Sequence, residues 1–303
     1  MSRSVRRTEV SGTDAIGAVF EPEVASDHFA VMLSGSSGGI PEAPARRLAE
    51  NGVTALALGY FGAPGLPTDL VEIPLESLAR GIELFRDRFA GGRSVGVVGI
   101  SRGAELALLV AAYLGDAIGP VVAVAPSHVA WPGLKAPGPG DRRTTSPAWT
   151  WQGAPLPFVQ YKAGIEMVFN EKGLRVDAYH DLASFDPAEI DPARIPVERA
   201  VGPILLLSGD DDHMWPAAPM AGEIVRRMQD HGRAADVTNV VYPGAGHIFL
   251  MRDFLPPAGG VNALSFDFGG TAEADEAASR DAWQRVVTFL QSSRQLSGLG
   301  AAG

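Results

Sequence analysis

The chain has 303 residues, 46% of them hydrophobic, no cysteine and a formal net charge of −10. That charge argues against non-specific nucleic-acid binding, and the lack of cysteine excludes disulfides and thiolate metal sites. No apolar run is long enough to span a bilayer, and no apolar signal-peptide core follows the basic start Met1-Ser2-Arg3-Ser4-Val5-Arg6-Arg7, so a cytoplasmic location is expected.

Short apolar runs predict strands at Ile16 to Phe20, Phe29 to Leu33, Val53 to Leu58 and Ser94 to Ile100. Further runs follow at Val121 to Ala125, Ile204 to Ser208 and Val237 to Tyr242. Helical patterns lie between most of them. Leu75, Leu78, Ile82, Phe85 and Phe89 recur at spacings of 3, 4, 3 and 4 after Pro74, which suits a first helical turn. Ala104 to Ala112 and Met214 to Met228 read as helices, and Trp283, Val286, Val287 and Leu290 mark a closing amphipathic one. The polar, glycine-rich tail from Ser292 to Gly303 is expected to be disordered. Alternating strands and helices predict an α/β fold with a mostly parallel sheet, and a chain of this length can form one domain over 1–303.

The segment Gly99-Ile100-Ser101-Arg102-Gly103 joins a strand directly to a helix. Glycines two positions either side of a serine permit a turn too tight for side chains, which lifts the hydroxyl above the sheet. This is the nucleophile elbow of the α/β-hydrolases. A serine nucleophile needs a base, and the base needs an orienting carboxylate. In this fold they follow in the order Ser, Asp/Glu, His.

Among six histidines, His247 alone has that order and a glycine-rich turn after a strand, Pro243-Gly244-Ala245-Gly246-His247. His28 reads as structural, and His231 suits a helix C-terminus. His128 and His180 lie in or beside a central insertion, and His213 adjoins the acid cluster. The acid falls within Asp210-Asp211-Asp212, just past the strand ending at Ser208-Gly209. Only one of the three orients an imidazole. Adjacent residues rarely converge on one metal ion, so no metal and no organic cofactor is expected.

Taken together, these segments resemble the catalytic domain of the acyl-CoA thioesterase / bile acid-CoA:amino acid N-acyltransferase family. The matching pieces are Ser34-Gly35-Ser36-Ser37-Gly38-Gly39, Tyr60-Phe61-Gly62 with Leu66-Pro67 and Ile73-Pro74-Leu75-Glu76, and the elbow with Ala104-Glu105-Leu106. Ser127-His128-Val129, Asp211-Asp212-His213-Met214-Trp215 and Tyr242-Pro243-Gly244-Ala245-Gly246-His247 complete them. The resemblance puts the acid at Asp212, and a spacing of three residues after the strand-end Gly209 agrees. The family's animal members carry a β-sandwich domain ahead of the catalytic one. About two dozen residues precede the first matching strand here, so that domain is expected to be absent. The family commonly has lysine where Arg102 stands. Its amino-acid transferases use a cysteine nucleophile, so Ser101 implies hydrolysis before transfer.

The candidate oxyanion donors are the backbone N–H of Arg102 and one from the loop after the early strand, with Ser36 ahead of Ser37. That loop lacks the Gly-Lys-Ser/Thr ending of a phosphate cradle. Residues 131–200 break the α/β rhythm and are expected to form a lid. Trp131, Trp149 and Trp151 fall within it, beside Phe158, Tyr161, Met167 and Phe169. They either wall an acyl pocket or supply the insertion's own small core. Trp149, Trp151, His128 and Trp215 are the candidate substrate-binding residues. Six basic against three acidic residues over 131–175 weakly suggest contact of Arg142 and Arg143 with the phosphates of CoA. The expected activity is hydrolysis of a small-molecule acyl-CoA thioester through an acyl-serine. The alternatives are a carboxylesterase or lactone hydrolase, an acyl-CoA:amine N-acyltransferase, and a non-catalytic binding protein on the same scaffold.

Overall fold

The computed structural model describes residues 4–13, 15–136, 142–161, 167–170, 173–176, 186–254 and 266–292. His180 and the tail beyond residue 292 lie outside them, as do the side chains of Met167 and Phe169.

Eight strands build the central sheet: β1 (Val5–Ser11), β2 (Ile16–Pro22), β3 (Phe29–Leu33), β4 (Thr54–Leu58), β5 (Val95–Ile100), β6 (Ile118–Val124), β7 (Ile204–Gly209) and β8 (Val237–Tyr242). Their spatial order is β1-β2-β4-β3-β5-β6-β7-β8. β2 runs antiparallel to β1 and β4, and every pairing from β4 to β8 is parallel. The helices are α1 (Glu42–Glu50), α2 (Leu75–Phe89), α3 (Arg102–Tyr113), α4 (Pro187–Ala193), α5 (Ala217–Asp230) and α6 (Ala272–Ser292).

The inner strands are uniformly apolar because both faces are covered. Alternate residues feed two cores. Val31, Leu33, Leu56, Val97, Val121 and Leu206 meet α2, α3 and α5 on one face. Ala30, Met32, Ala57, Val98, Val122 and Leu207 meet α1 and α6 on the other. On α6, Trp283, Val286 and Leu290 lie on one stripe and are buried, and the Trp283 indole N–H donates to the Leu250 carbonyl at 3.1 Å. Each such side chain contributes about 1.5–3 kcal/mol of burial.

The expected α/β-hydrolase fold is present, with three differences. β1 is an additional edge strand, which its polar sequence Val-Arg-Arg-Thr-Glu-Val-Ser concealed. β6 begins three residues earlier than its apolar run, because the register slips between Val95 and Val97 and so accommodates Gly119-Pro120 inside the sheet. α5 starts at Ala217 rather than Met214, behind Pro216. Among the described residues no helix is long and apolar enough to cross a membrane.

Between β6 and β7 the chain leaves the sheet. It forms a strand pair, Pro132–Leu134 with Arg143–Pro147, and a small sheet in which Trp149–Trp151 pairs with Ile73–Pro74 and Ala154–Pro155. It also forms a hairpin of Met167–Asn170 with Gly173–Val176, then α4.

Candidate active site

Parallel strands end on one edge, and the loops leaving β5, β7 and β8 there carry Ser101, Asp212 and His247. Ser101 holds φ 58° and ψ −123°, a region costly for any residue with a Cβ. Two glycines allow it. A Cβ at Gly99 would overlap the Gly103 carbonyl, and one at Gly103 would overlap the Ser34 carbonyl. The serine amide is tied to the Val124 carbonyl at 2.9 Å, and α3 starts at the next residue.

His247 Nδ1 lies 2.7 Å from Asp212 Oδ2, and Nε2 lies 2.8 Å from Ser101 Oγ. A carboxylate only accepts, so Nδ1 carries the proton and Nε2 accepts from the serine hydroxyl. Asp212 and His247 are both buried. The other oxygen of Asp212 accepts the N–H groups of Met214 at 2.8 Å and Trp215 at 3.2 Å, which fixes the carboxylate plane. The neighbouring aspartates serve elsewhere. Asp210 accepts from the Gly244 amide, and Asp211 accepts from the Gly270 amide and faces His213.

Two aromatic rings pack near the imidazole of His247. Trp215 meets it edge-on, with centroids 5.4 Å apart at 83°, and donates its own N–H to the Ala125 carbonyl. Phe268 stacks on it at 6.3 Å and 9°. The Phe268 carbonyl accepts the His247 amide at 2.8 Å and the His213 amide at 3.4 Å, so one peptide ties the base loop to the acid loop. His213 in turn bridges Asp211 and Asp267, at 3.1 and 3.0 Å. Sequence reasoning missed Phe268, because Phe266-Asp267-Phe268-Gly269-Gly270 belongs to no periodic element.

The loop after β3 turns tightly, with the Gly38 amide donating to the Gly35 carbonyl at 3.1 Å. Ser36 and Ser37 occupy the centre of this turn. Gly35 lies against the elbow, since a Cβ there would stand 3.9 Å from Ser101 Oγ. Tyr60 donates to the Ser34 carbonyl at 2.6 Å, and burial holds its hydroxyl well above the usual tyrosine range. The Arg102 amide is a first-turn N–H of α3, without an intrahelical partner. Both candidate oxyanion segments therefore border Ser101.

The Arg102 side chain turns away from solvent. Its Nη1 lies 3.0 Å from Glu105 Oε2, with the two side chains 2% and 0% exposed. Its Nη2 donates to the carbonyls of Trp131 and Pro132, at 3.1 and 3.0 Å. Glu105 Oε1 accepts from the Trp149 indole at 2.5 Å and the Trp131 amide at 3.1 Å. Burial pushes the Glu105 carboxyl up, against the pull of Arg102, Trp149 and Trp131.

This buried node supports the second of the two readings of the insertion's tryptophans. Trp149 is enclosed beside Arg102 and Tyr60, and Trp131 stacks on Tyr161, so the two build the insertion's own core. Trp151 packs on Tyr113, at the C-terminal end of α3 and hence at the opposite end of that helix from Ser101. Trp215 packs edge-on against the His247 imidazole. Arg142 commits Nη2 to the Ser36 carbonyl and Nε to the Lys135 carbonyl, at 2.7 and 2.8 Å, which leaves little of it for phosphates. His128 is buried after β6, and burial together with Arg194 and Arg226 pushes it down to about 3.

Residues 80–295 match the family model described as BAAT / Acyl-CoA thioester hydrolase C terminal. Acyl-coenzyme A thioesterase 6 of Mus musculus is 32% identical over 302 residues, covering 96% of this chain and 66% of that protein. Mitochondrial acyl-coenzyme A thioesterase 2 of Homo sapiens is 30% identical over 295 residues, covering 94% and 56%. The chain thus spans roughly two thirds or less of these relatives' length. Among solved structures, the acylaminoacyl peptidase of Pyrococcus horikoshii matches with TM-score 0.62 at 12% identity, over 100% of this chain and 43% of that one. An esterase of Pyrococcus furiosus matches with TM-score 0.53 at 13% identity, over 95% and 91%. At such identities the likeness is one of fold, and the fold is that of the α/β-hydrolases.

Proposed function

The chain belongs to the family of the BAAT / acyl-CoA thioester hydrolase C-terminal domain, and from that premise we propose that it is a serine hydrolase cleaving acyl-CoA thioesters through an acyl-serine intermediate. The observation that carries the reading is the hydrogen-bonded relay from Ser101 through His247 to Asp212. His247 takes the hydroxyl proton as Ser101 attacks the thioester carbonyl. The amides of Arg102 and of Ser36 or Ser37 stabilise the oxyanion, and α3 adds the positive end of its dipole. Collapse of the intermediate expels the CoA thiolate, which receives the proton from His247. Water, deprotonated by His247, then attacks the acyl-serine and frees the acid. Asp212 keeps the imidazole in one tautomer and stabilises its charged form throughout. The chemistry requires neither a metal nor an organic cofactor.

The test is a hydrolysis screen of acyl-CoAs of graded length against simple esters, with and without excess glycine or taurine, products read by mass spectrometry. Free acid from acyl-CoA as the main product, lost in Ser101→Ala, is expected. Turnover of simple esters alone would replace the thioesterase reading with a carboxylesterase. A dominant N-acyl amino acid would replace it with a transferase.

A further inference from the structure

The two candidate halves of the oxyanion hole belong to different elements, the loop after β3 and the start of α3. One limb pair of the insertion touches both. At one end, Arg102 donates to the carbonyls of Trp131 and Pro132. At the other, Arg142 donates to the carbonyl of Ser36. The two ends are joined by the pairing of Pro132–Leu134 with Arg143–Pro147 and by two bonds beside it. In these the Lys135 amide donates to the Arg142 carbonyl and Arg142 Nε to the Lys135 carbonyl. The Leu70 and Leu134 backbones bond each other, and Asp69 accepts the Ala136 amide, so the pair is braced against the body.

The consequence follows from peptide planarity. In a trans peptide the C=O and the following N–H point opposite ways. A donor holding the Ser36 carbonyl therefore fixes the direction of the Ser37 N–H. The preceding peptide is fixed separately, since the Gly35 carbonyl accepts the Gly38 amide and lies 3.5 Å from the Tyr60 hydroxyl. Without Arg142, the second of these two peptides loses its side-chain restraint.

Building on the serine-hydrolase reading, we propose that the Ser37 N–H is the loop's oxyanion donor and that this strand pair acts as a splint between it and the Arg102 amide, with Arg142 as its positioning residue. Arg142 touches no reacting atom. It presets a dipole that otherwise has to reorient as charge develops, so its contribution appears in the transition state and not in substrate binding.

Arg142→Met removes both donors and keeps most of the side chain's length. The expected result is a fall of about tenfold in kcat on acyl-CoA with KM within about twofold. Labelling of Ser101 by a fluorophosphonate slows by a similar factor. A trifluoromethyl ketone thioether, which forms an oxyanion on Ser101, binds about tenfold more weakly. The non-reacting thioether analogue of the substrate keeps its affinity. Arg142→Lys restores part of the loss, because an ammonium reaches one carbonyl but not both, and this variant carries the test if Arg142→Met does not fold. Unchanged kcat and labelling overturn the proposal, as does equal weakening of both ligands. If the wild-type protein hydrolyses acyl-CoA and Arg142→Met matches it, the splint alone falls. If the wild-type protein neither hydrolyses esters or thioesters nor is labelled, the hydrolase reading falls and takes the splint with it.

Discussion

Ser101, Asp212 and His247 stand one to five residues beyond the ends of three parallel strands, and backbone hydrogen bonds of the sheet fix where those strands end. The insertion between β6 and β7 is secured differently. Its first tryptophans are pinned to α3 by side chains, through a buried guanidinium and a buried carboxyl. The sheet edge can thus lose one of these side chains and keep its shape. The insertion also pairs its backbone with Leu70 and Ile73–Pro74, but its contact with α3 rests on polar groups whose loss leaves a charge stranded in an apolar interior.

The sharpest way to break this contrast is at the relay. Ser101→Ala should abolish fluorophosphonate labelling and lower turnover by a factor on the order of 10³ or more. Its thermal midpoint should stay near that of the parent. A large drop in that midpoint would mean that the elbow is not carried by the sheet alone. Asp212→Asn should cripple turnover, whereas Asp211→Asn should cost far less, because only Asp212 meets His247. Steady-state kinetics on the pair decides whether the acid's register is correct.

At the insertion the balance reverses. Glu105→Gln leaves Arg102 buried without its counter-charge, and about 3–5 kcal/mol of stability should be lost in urea unfolding. Replacing both, as Arg102→Met with Glu105→Leu, should recover most of that loss. If the single variant is as stable as the parent, the node is not what holds the insertion.

A smaller effect is expected at His128. Its pKa falls from an ordinary 6.5 to about 3 in the folded chain, chiefly through burial. Between these values the unfolded chain binds the extra proton. Stability should therefore be full above pH 6.5 and decline as pH falls toward 3, by up to about 1.4 kcal/mol per pH unit. His128→Gln should flatten that part of the curve in urea titrations at stepped pH. The smallest effect is assigned to Trp151→Ala. Because Trp151 packs on Tyr113 rather than near Ser101, KM for acyl-CoA should change by less than about twofold. A tenfold rise would restore Trp151 to the substrate wall.

Legibility in the sequence follows the same division. The elbow, the strand before the acid and the glycine turn before the base are short contiguous signals, because a strand end and a tight turn are local events. The register of the acid among three aspartates needed the family resemblance. The Arg102–Glu105 node was invisible because its partners, Trp131 and Trp149, lie 26 and 44 residues beyond Glu105 and only folding brings them together. Arg142 was read for its charge, yet in the fold it acts through two backbone carbonyls. β1 escaped because an exposed edge strand carries no apolar run.

The rings around His247 have one mechanical consequence. Phe268 runs near-parallel to the imidazole with centroids 6.3 Å apart, and Trp215 meets it at 83°, its own indole anchored to Ala125. His247 is thus tethered at Nδ1 and lined by two rings. On the serine-hydrolase reading, with Nδ1 held at Asp212, Nε2 needs only a short displacement to pass from Ser101 Oγ to the leaving sulfur on the same carbonyl carbon. On that reading one proton is collected at one end of the displacement and delivered at the other while the Asp212 contact holds.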